Sequence, residues 1–376
     1  MDHLFVTGPF RCGTTLVDKL LHAHPSLSVS SQPCPMLWSS VKAAFLAAIG
    51  KQSAYPLGHL FGDDADDRQE FLEYLGTDSA VSAAVTAQVS QAINSTANDN
   101  VCTAARAVQE SIGRPFIDAA RRVWYQLAAA NGDVSLSGSK EIVCDEYIPY
   151  LLRSSVRCIC VVRDPRDMLT SMTCGRAEQF IGKVRPTLFP LLVWRKTIAF
   201  ILEHQGMPGF HWLRYEDLVE RPVEILNNVF RFLGVDPCAD RIVGWNVIDQ
   251  QGQNWAGNSA FGDLQGISTA PAGRFVQSLN ETTIRYVETV CGPEMAVMGY
   301  SDAWSGDAAP IRNFKEPIPV THRALPNDYS TRCEQVDAEL HRLELLKGSD
   351  RPSVADQQRW FIFQAAYNAL RSAPRS

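Results

Sequence analysis

The stretch that decides the fold is Gly8-Pro9-Phe10-Arg11-Cys12-Gly13-Thr14-Thr15, which joins a strand-like apolar run at residues 4–7 to an apolar helical stripe. A glycine-rich turn of this kind exposes the N–H groups at the start of a helix, and these groups favour anions. Every fixed position of the nucleotide-triphosphate loop GxxxxGK[ST] matches except the lysine, which is Thr14. Because that lysine normally reaches the β and γ phosphates, its absence argues against a kinase, while Arg11 supplies a cation nearby. We predict a phosphate-cradling turn; a turn without a ligand is the alternative.

Composition and charge are those of an ordinary globular protein. The 376 residues are 45% hydrophobic and 20% charged, which excludes disordered and fibrous classes. Acidic residues (41) outnumber Lys and Arg (35), and the net charge of -6 gives no general attraction to nucleic acid or to an anionic membrane. An anionic ligand must therefore be bound by a local basic pocket.

Cellular location follows from what the chain lacks. Its apolar runs are far shorter than the roughly 18 residues of a membrane span, which predicts no membrane helix. A strand-like run begins at His3, so we expect no signal peptide. The ten cysteines include no CxxC pair, and no HExxH or Cys/His cluster indicates a metal. We expect a cytoplasmic protein with reduced thiols and with no metal, membrane or nucleic-acid partner.

The distribution of apolar residues predicts an α/β fold with a three-layer, P-loop-like parallel sheet. Continuous apolar runs are typical of strands buried on both faces. The predicted strands are residues 4–7, 134–137, 156–162 and 210–213.

Two helical regions are expected to accompany this sheet. The Ala-, Ser- and Gln-rich text at about 41–131 predicts a helical insertion within a domain of residues 1–300. Apolar stripes at 333–343 and 360–370 predict a C-terminal helical hairpin within residues 329–376, after a Pro- and Gly-rich linker at 301–328.

A second informative segment is Arg163-Asp164-Pro165-Arg166-Asp167-Met168-Leu169-Thr170-Ser171. A buried strand brings Arg163 to the carboxyl edge of the sheet, where ligands of open parallel sheets bind. Asp164 and Pro165 predict the N-cap and first position of a helix that carries Ser171. A guanidinium and a hydroxyl placed in this way suit one phosphate. The structural alternative for Arg163 is an ion pair with Asp164 or Asp167.

Together the two segments resemble the sulfotransferase family that uses 3′-phosphoadenosine 5′-phosphosulfate (PAPS). The family's first loop, GxxRSGTTLL, is similar to residues 8–17, and its RDPRDxxxS occurs unaltered at residues 163–171. Its YEDLxxxP…FLG element is similar to residues 215–234, and its late GRW is similar to Gly273-Arg274-Phe275. These matches cover roughly residues 1–300 apart from the insertion.

The resemblance implies a role for each matching residue. The 5′-phosphosulfate would be bound by Arg11 and by the turn Cys12, Gly13, Thr14 and Thr15. The 3′-phosphate would be bound by Arg163 and Ser171, with Arg274 as a late cationic contact. Lys140 matches a lysine near the bridging oxygen of the donor, where it would stabilise charge on the departing phosphate; a solvated lysine at a strand end is the alternative. Arg11, Lys140 and Glu141 form the predicted catalytic set.

The predicted base is the least determined part of this site. By register with Arg11, the glutamate of the tyrosylprotein branch is Gln32 here, and an amide cannot accept the proton. Glu141 is the first candidate, ahead of His59, His204 and His211. His22 and His24 are interpreted as structural.

The acceptor is expected to be a small metabolite that is sulfated on a hydroxyl or a nitrogen. Two features of the insertion bear on it, and each has a structural alternative. The acidic run of Asp63, Asp64, Asp66, Asp67, Glu70 and Glu73 predicts a cationic acceptor if it faces the pocket and is otherwise a solvated helix face. The aromatics could line a pocket or belong to the core: Trp38, Phe45, Tyr55, Phe61, Phe71 and Tyr74.

Two other function classes stay open at this stage. One is a kinase-like phosphotransferase with a degenerate loop, which would need ATP and Mg²⁺. The other is a non-catalytic nucleotide-binding protein, which the missing glutamate at Gln32 favours. The sequence leaves the oligomeric state undetermined.

Overall fold

A five-stranded parallel sheet in the order β2-β3-β1-β4-β5 organises the chain. The computed structural model describes residues 1–51, 65–93, 99–132, 134–174, 186–243, 255, 257, 266–316 and 332–376. The strands are β1 (Asp2–Thr7), β2 (Leu27–Ser31), β3 (Leu136–Lys140), β4 (Val156–Val162) and β5 (Phe210–Arg214).

Helices surround this sheet in three groups. The first half contributes α1 (Thr14–His22), α2 (Pro35–Ala48), α3 (Ala65–Leu75), α4 (Ala83–Ile93), α5 (Asp99–Gln109) and α6 (Phe116–Ala128). The middle contributes α7 (Ile148–Arg153), α8 (Pro165–Thr173), α9 (Leu188–His204), α10 (Tyr215–Glu220), α11 (Pro222–Leu233) and α12 (Ala239–Val243). The C-terminal part contributes α13 (Phe275–Ser278), α14 (Glu281–Val290), α15 (Gly292–Val297), α16 (Ala309–Asn313), α17 (Arg332–Lys347), α18 (Val354–Phe361) and α19 (Gln364–Arg371).

The central strand divides the core into two apolar layers. Leu4 and Val6 of β1 belong to one cluster with α1, α10 and α11, whereas Phe5 belongs to the other with α2, α6 and α9. This alternation follows from the two-residue period of a strand. The predicted three-layer α/β fold is therefore confirmed.

None of the described helices is long and apolar enough to cross a membrane.

One strand was not predicted, and another is displaced from its predicted position. Strand β2 was missed because three of its five residues, Ser28, Ser30 and Ser31, are serines, which leave too short an apolar pattern to indicate a strand. The strand predicted at 134–137 lies at Leu136–Lys140 instead, since Ser137, Gly138 and Ser139 hide its apolar pattern. This shift carries Lys140 to the end of the strand.

The predicted insertion is helical in its described parts, which run from α2 to α6. Its aromatics are buried: Trp38, Phe45 and Phe71 are at most 3% exposed, and Phe45 packs on Phe71 and Tyr74. They are core residues, as the structural alternative held; Tyr55 and Phe61 lie outside the described residues.

The C-terminal region differs from its prediction in two respects. The helix predicted at 360–370 is divided into α18 and α19, because Ile362 adopts a φ of 69°. Within the predicted linker, residues 301–316 pack on the core: Trp304 is 2% exposed, and Phe314 stacks on Tyr286 with ring centroids 3.8 Å apart. Burial of these aromatic side chains explains why residues 301–316, although rich in Pro and Gly, pack on the core. Residues 317–328 of the predicted linker lie outside the described residues.

Buried ion pairs attach α17 to the rest of the molecule. Glu339 of α17 accepts two hydrogen bonds from Arg195 of α9, at 2.5 and 3.1 Å, and both side chains are at most 5% exposed. Arg342 of α17 donates one hydrogen bond to Glu294 of α15, and both side chains are 2% exposed. Charges buried to this degree are stable only when they are paired.

Glu339→Ala should therefore lower the free energy of unfolding by about 3 to 5 kcal/mol, because it leaves Arg195 buried without its carboxylate. Urea denaturation measures this change. The control is Glu344→Ala on the same helix, where the ion pair with Lys347 is exposed and its loss should cost less than about 1 kcal/mol. Equal effects of the two substitutions would contradict the proposed anchoring of α17.

Candidate functional site

The carboxyl ends of β3, β1 and β4 border a cavity of about 360 Å³. Parallel strands bring residues that are distant in sequence to this edge, as the two sequence segments predict. Eight of the ten predicted site residues line the cavity: Arg11, Gly13, Thr14, Thr15, Lys140, Arg163, Ser171 and Arg274.

The turn after β1 closes tightly against an aromatic ring. Gly13 is the N-cap of α1 with a φ of 86°, and a Cβ atom there would lie 2.3 Å from the Tyr215 ring. Arg11 also has a positive φ, of 57°. The first turn of α1 has no capping side chain and no acidic residue, so its N–H groups and dipole favour an anion in the cavity.

Arg163 and Ser171 both line the cavity, and Arg11 contacts both of them. Arg163 donates to the carbonyl oxygens of Arg11 (3.3 Å) and Pro271 (2.6 Å), and its guanidinium lies 4.7 Å from the centre of the Tyr215 ring. Arg11 Nε donates to Ser171 Oγ at 3.0 Å. Arg11 and Ser171, which the sequence assigns to opposite ends of the donor, are therefore in direct contact.

The remaining residues of the second segment hold the site together. Asp164 caps α8 as predicted, by accepting from the Arg166 amide at 2.8 Å, and it forms its ion pair with Arg166 instead of Arg163. Asp167 accepts from the amides of Gly273 (2.6 Å) and Phe275 (2.9 Å). These two bonds fix the backbone on either side of Arg274, a role that was not predicted because it needs a partner 106 residues away.

Lys140 lines the cavity from the end of β3 and is 2% exposed, so it is not the solvated lysine of the alternative interpretation. Its ammonium lies between Thr15 Oγ1 (3.4 Å), Gln32 Oε1 (3.3 Å) and Asp18 Oδ2 (3.5 Å). Asp18 was missed, although an acidic residue within the apolar stripe of α1 was a signal that could have identified it.

Two predicted residues lie outside the cavity lining. Cys12 is fully buried, and its thiol donates to the Phe10 carbonyl at 3.4 Å. Glu141 is 1% exposed, and burial raises its pKa to about 8 against the opposing effects of Lys140 and of hydrogen bonds from Cys34 and Trp38. Consecutive residues at a strand end point to opposite faces, so Lys140 faces α1 and Glu141 faces α2. In this arrangement Glu141 is not part of the cavity lining.

The other candidate bases do not line the cavity in the described structure. His204 bonds to the Phe200 carbonyl at 2.8 Å, His211 stacks on Phe232, and His59 lies outside the described residues. His24 bonds to the Asp236 carbonyl at 2.9 Å, and His22 accepts from the Val29 amide, which agrees with their structural interpretation.

The acidic run of the insertion is also remote from the cavity. Asp66, Asp67, Glu70 and Glu73 belong to α3, and none of them lines the cavity. Asp67 pairs with Lys51 instead. Asp63 and Asp64 lie outside the described residues.

Comparison with known proteins identifies the chain's relatives. The family model described as "Sulfotransferase family" matches residues 3–240. None of the curated proteins matches. Among solved structures, the sulfotransferase domain from the curacin biosynthetic pathway has 19% identity and a TM-score of 0.42, covering 78% of this chain and 98% of its own. The sulfotransferase domain from the Synechococcus PCC 7002 olefin synthase has 19% identity and a TM-score of 0.38, and the match covers 77% of this chain and 94% of that domain. A retinol dehydratase in complex with androsterone and the inactive cofactor PAP has 13% identity and a TM-score of 0.38, covering 78% and 80%.

Gly13→Ala should disrupt the turn through both backbone strain and the collision with Tyr215. Gly50→Ala is the matched control, because Gly50 has a φ of 70° and no atom within 4 Å of an added Cβ. The control should lose about 1 to 2 kcal/mol of unfolding free energy from strain alone. Gly13→Ala should lose clearly more in the same denaturation assay, and similar losses would show that the ring does not confine the turn.

Proposed function

This chain belongs to the sulfotransferase family, and on that premise we propose that it is an enzyme that uses PAPS to sulfate a small metabolite on a hydroxyl or a nitrogen. One observation carries the proposal. The glycine turn after β1 and the Arg163–Ser171 pair after β4, which resemble the two donor-binding motifs of the family, line one cavity.

The charge of the cavity fits this donor. Two phosphate groups and a sulfate give PAPS about four negative charges at neutral pH. Among the described lining residues, Arg11, Lys140, Arg163 and Arg274 are cationic. Asp167 is the carboxylate of that lining, and both of its oxygens accept backbone N–H groups. The cavity therefore suits a polyanion although the whole chain carries a net charge of -6.

Each side of the cavity would hold one end of the nucleotide. The 5′-phosphosulfate would be bound by the start of α1, with the Thr15 hydroxyl and Lys140 beside it. The 3′-phosphate would be bound by Arg163 and Ser171, with Arg274 and Arg11 close to them. This arrangement differs from the sequence-based assignment, in which Arg11 belonged to the 5′ end alone.

PAPS supplies the activated sulfuryl group. Its bond from sulfur to the 5′-phosphate oxygen breaks, a bond from the acceptor's oxygen or nitrogen to sulfur forms, and the acceptor's proton leaves to solvent. The products are the sulfated acceptor and 3′-phosphoadenosine 5′-phosphate (PAP). Lys140 would stabilise the charge that develops on the departing phosphate oxygen, which is where a fixed cation lowers the barrier most.

The acceptor would occupy the apolar part of the cavity. Phe10, Leu16, Ile142 and Met172 contribute to the lining, and apolar walls with few polar groups are typical of sites for small molecules. The acidic run on α3 does not support a cationic acceptor, because none of its described members lines the cavity. We propose a small acceptor with a substantial apolar surface.

Arg163→Ala should weaken PAP binding by about 2 to 5 kcal/mol, because a buried phosphate would lose its charged partner. Isothermal calorimetry without metal measures this loss. The matched control is Arg231→Ala, since Arg231 is exposed on α11 and contacts Asn228. A loss below about 0.5 kcal/mol would be within the range of ordinary surface substitutions and would remove Arg163 from the site.

Lys140→Ala should lower kcat by about 10²-fold while changing donor affinity much less, as expected for a group that acts mainly in the transition state. Steady-state kinetics with labelled PAPS and a metabolite extract as acceptor measures both quantities. Lys140→Arg keeps the charge and should retain more activity than Lys140→Ala. Equal losses in kcat and in affinity would make Lys140 a binding residue only.

Calorimetry tests the first rival function, and the turnover assay tests the second. A kinase-like phosphotransferase would bind ATP with Mg²⁺ in preference to PAP. A non-catalytic protein would bind PAP and show no turnover with any acceptor.

A further inference from the structure

The buried carboxylate of Asp18 lies 3.5 Å from the Lys140 ammonium and does not line the cavity. We propose that Asp18 is a positioning residue, which keeps the Lys140 ammonium charged and aimed into the cavity. This inference rests on the proposed function, because it concerns how the cavity presents its cation to the phosphosulfate end of the donor.

The position of Asp18 follows from the geometry of α1. Asp18 lies three and four residues after Thr15 and Thr14, so it shares their helix face, one turn below the anion-binding end. Thr14 and Thr15 line the cavity, whereas Asp18 does not. Asp18 therefore does not contact a molecule in the cavity, whereas Lys140, 3.5 Å from Asp18, does line it.

The Lys140 ammonium has three contacts of similar length and no short hydrogen bond to any one of these partners. Its contacts with Thr15, Gln32 and Asp18 measure 3.3 to 3.5 Å, which is long for charge-assisted hydrogen bonds. Neither Asp18 oxygen accepts a hydrogen bond of ordinary geometry within the part of the chain that the structure describes. Lys140, Lys19 and the Ser31 side chain each favour the charged form of Asp18.

A second buried lysine in the same protein shows the contrast. Lys196 of α9 lies 2.6 Å from Glu146 Oε2 and 3.6 Å from Asp145, and Thr197 also bonds to Asp145, at 3.0 Å. That cluster is a tight network that joins α9 to the segment after β3. Lys140 instead keeps loose contacts and faces a cavity, so an arriving anion can attract its N–H groups at little cost.

Electrostatics explains why a lysine in this place needs a carboxylate. Burial lowers the pKa of Lys140, and the negative charges of Asp18 and Glu141 oppose that effect. The positive charge of Lys19, whose Nζ lies 3.9 Å from Asp18, lowers the pKa of Lys140 further. Burial also raises the pKa of Asp18, against the opposing charges of Lys140 and Lys19. Because Asp18 is only 3.5 Å away, its charge is the main favourable influence on the protonated state of Lys140.

Asp18→Asn tests the inference, because it keeps the shape of the side chain and removes its charge. The pKa of Lys140 should then fall by about 1 to 3 pH units, as is usual when an opposite charge is lost at this distance. Lysine ¹³Cε NMR titration of the protein without nucleotide measures this pKa, with the Lys140 signal assigned by its absence in Lys140→Arg. An unchanged pKa would overturn the inference, whatever the enzyme's substrate is.

Two further variants give matched controls. Lys19→Gln lies on the same helix and removes a like charge, so the pKa of Lys140 should move upward, opposite to the effect of Asp18→Asn. Asp18→Glu retains the charge and should restore much of the wild-type pKa. If Asp18→Asn fails to fold, ¹³Cγ NMR titration of Asp18 in Lys140→Gln tests the same pair, because loss of the Lys140 charge should raise the pKa of Asp18; an unchanged pKa would overturn the inference.

Calorimetry with PAP connects this pair to the nucleotide. Lys140 binds an anion well below its pKa and loses that ability above it. Unlike the donor, PAP carries on its 5′-phosphate the full charge that Lys140 would stabilise as the phosphate departs, so PAP affinity should begin to fall at a lower pH in Asp18→Asn than in the wild type, with the same sign as the NMR shift. Identical pH profiles would show that Asp18 does not position Lys140 for the donor. Absence of PAP binding in the wild type would instead contradict the proposed function and leave the NMR result as the test of the ion pair.

Discussion

Close packing of three parallel strands is the constraint on which the rest of the structure depends. β1 lies between β3 and β4, and the backbones approach so closely that a Cβ on Gly138 would lie 1.9 Å from the Leu4 carbonyl oxygen. A Cβ on Gly8 would similarly lie 2.2 Å from the Val161 carbonyl oxygen. Because the strands are parallel, their carboxyl ends share one edge, and this edge brings Lys140, the turn after β1 and Arg163 together.

Much of this arrangement was predictable from local patterns. The apolar run of β4, the glycine turn after β1 and the Asp164 cap each determine their own structure within a few residues. Two such segments in a parallel α/β fold were enough to place Arg11, Arg163 and Ser171 at one cavity. The serine-rich strands were the weak point, since a strand inside a sheet is stabilised by its neighbours as much as by its own propensity.

The parts that were not predicted depend on contacts between distant residues. Nothing local to Asp167 indicates that it accepts amides from Gly273 and Phe275, and nothing local to Tyr215 indicates that its ring supports Gly13. Glu141 was chosen as a base because it adjoins Lys140 in sequence, yet adjacent residues at a strand end face different layers. Arg11 was assigned by its place in the turn, and its long side chain reaches Ser171.

Helix α9 links the C-terminal helices to the cavity edge of the sheet through two consecutive residues. The Trp194 indole donates to the Arg163 carbonyl at 2.8 Å, and Arg195 is paired with Glu339 of α17. The C-terminal helices are therefore connected to the backbone of Arg163 through the neighbouring side chains of Arg195 and Trp194. Substitutions that loosen α17 from Arg195 would consequently disturb the backbone at Arg163, even though no residue of α17, α18 or α19 lines the cavity.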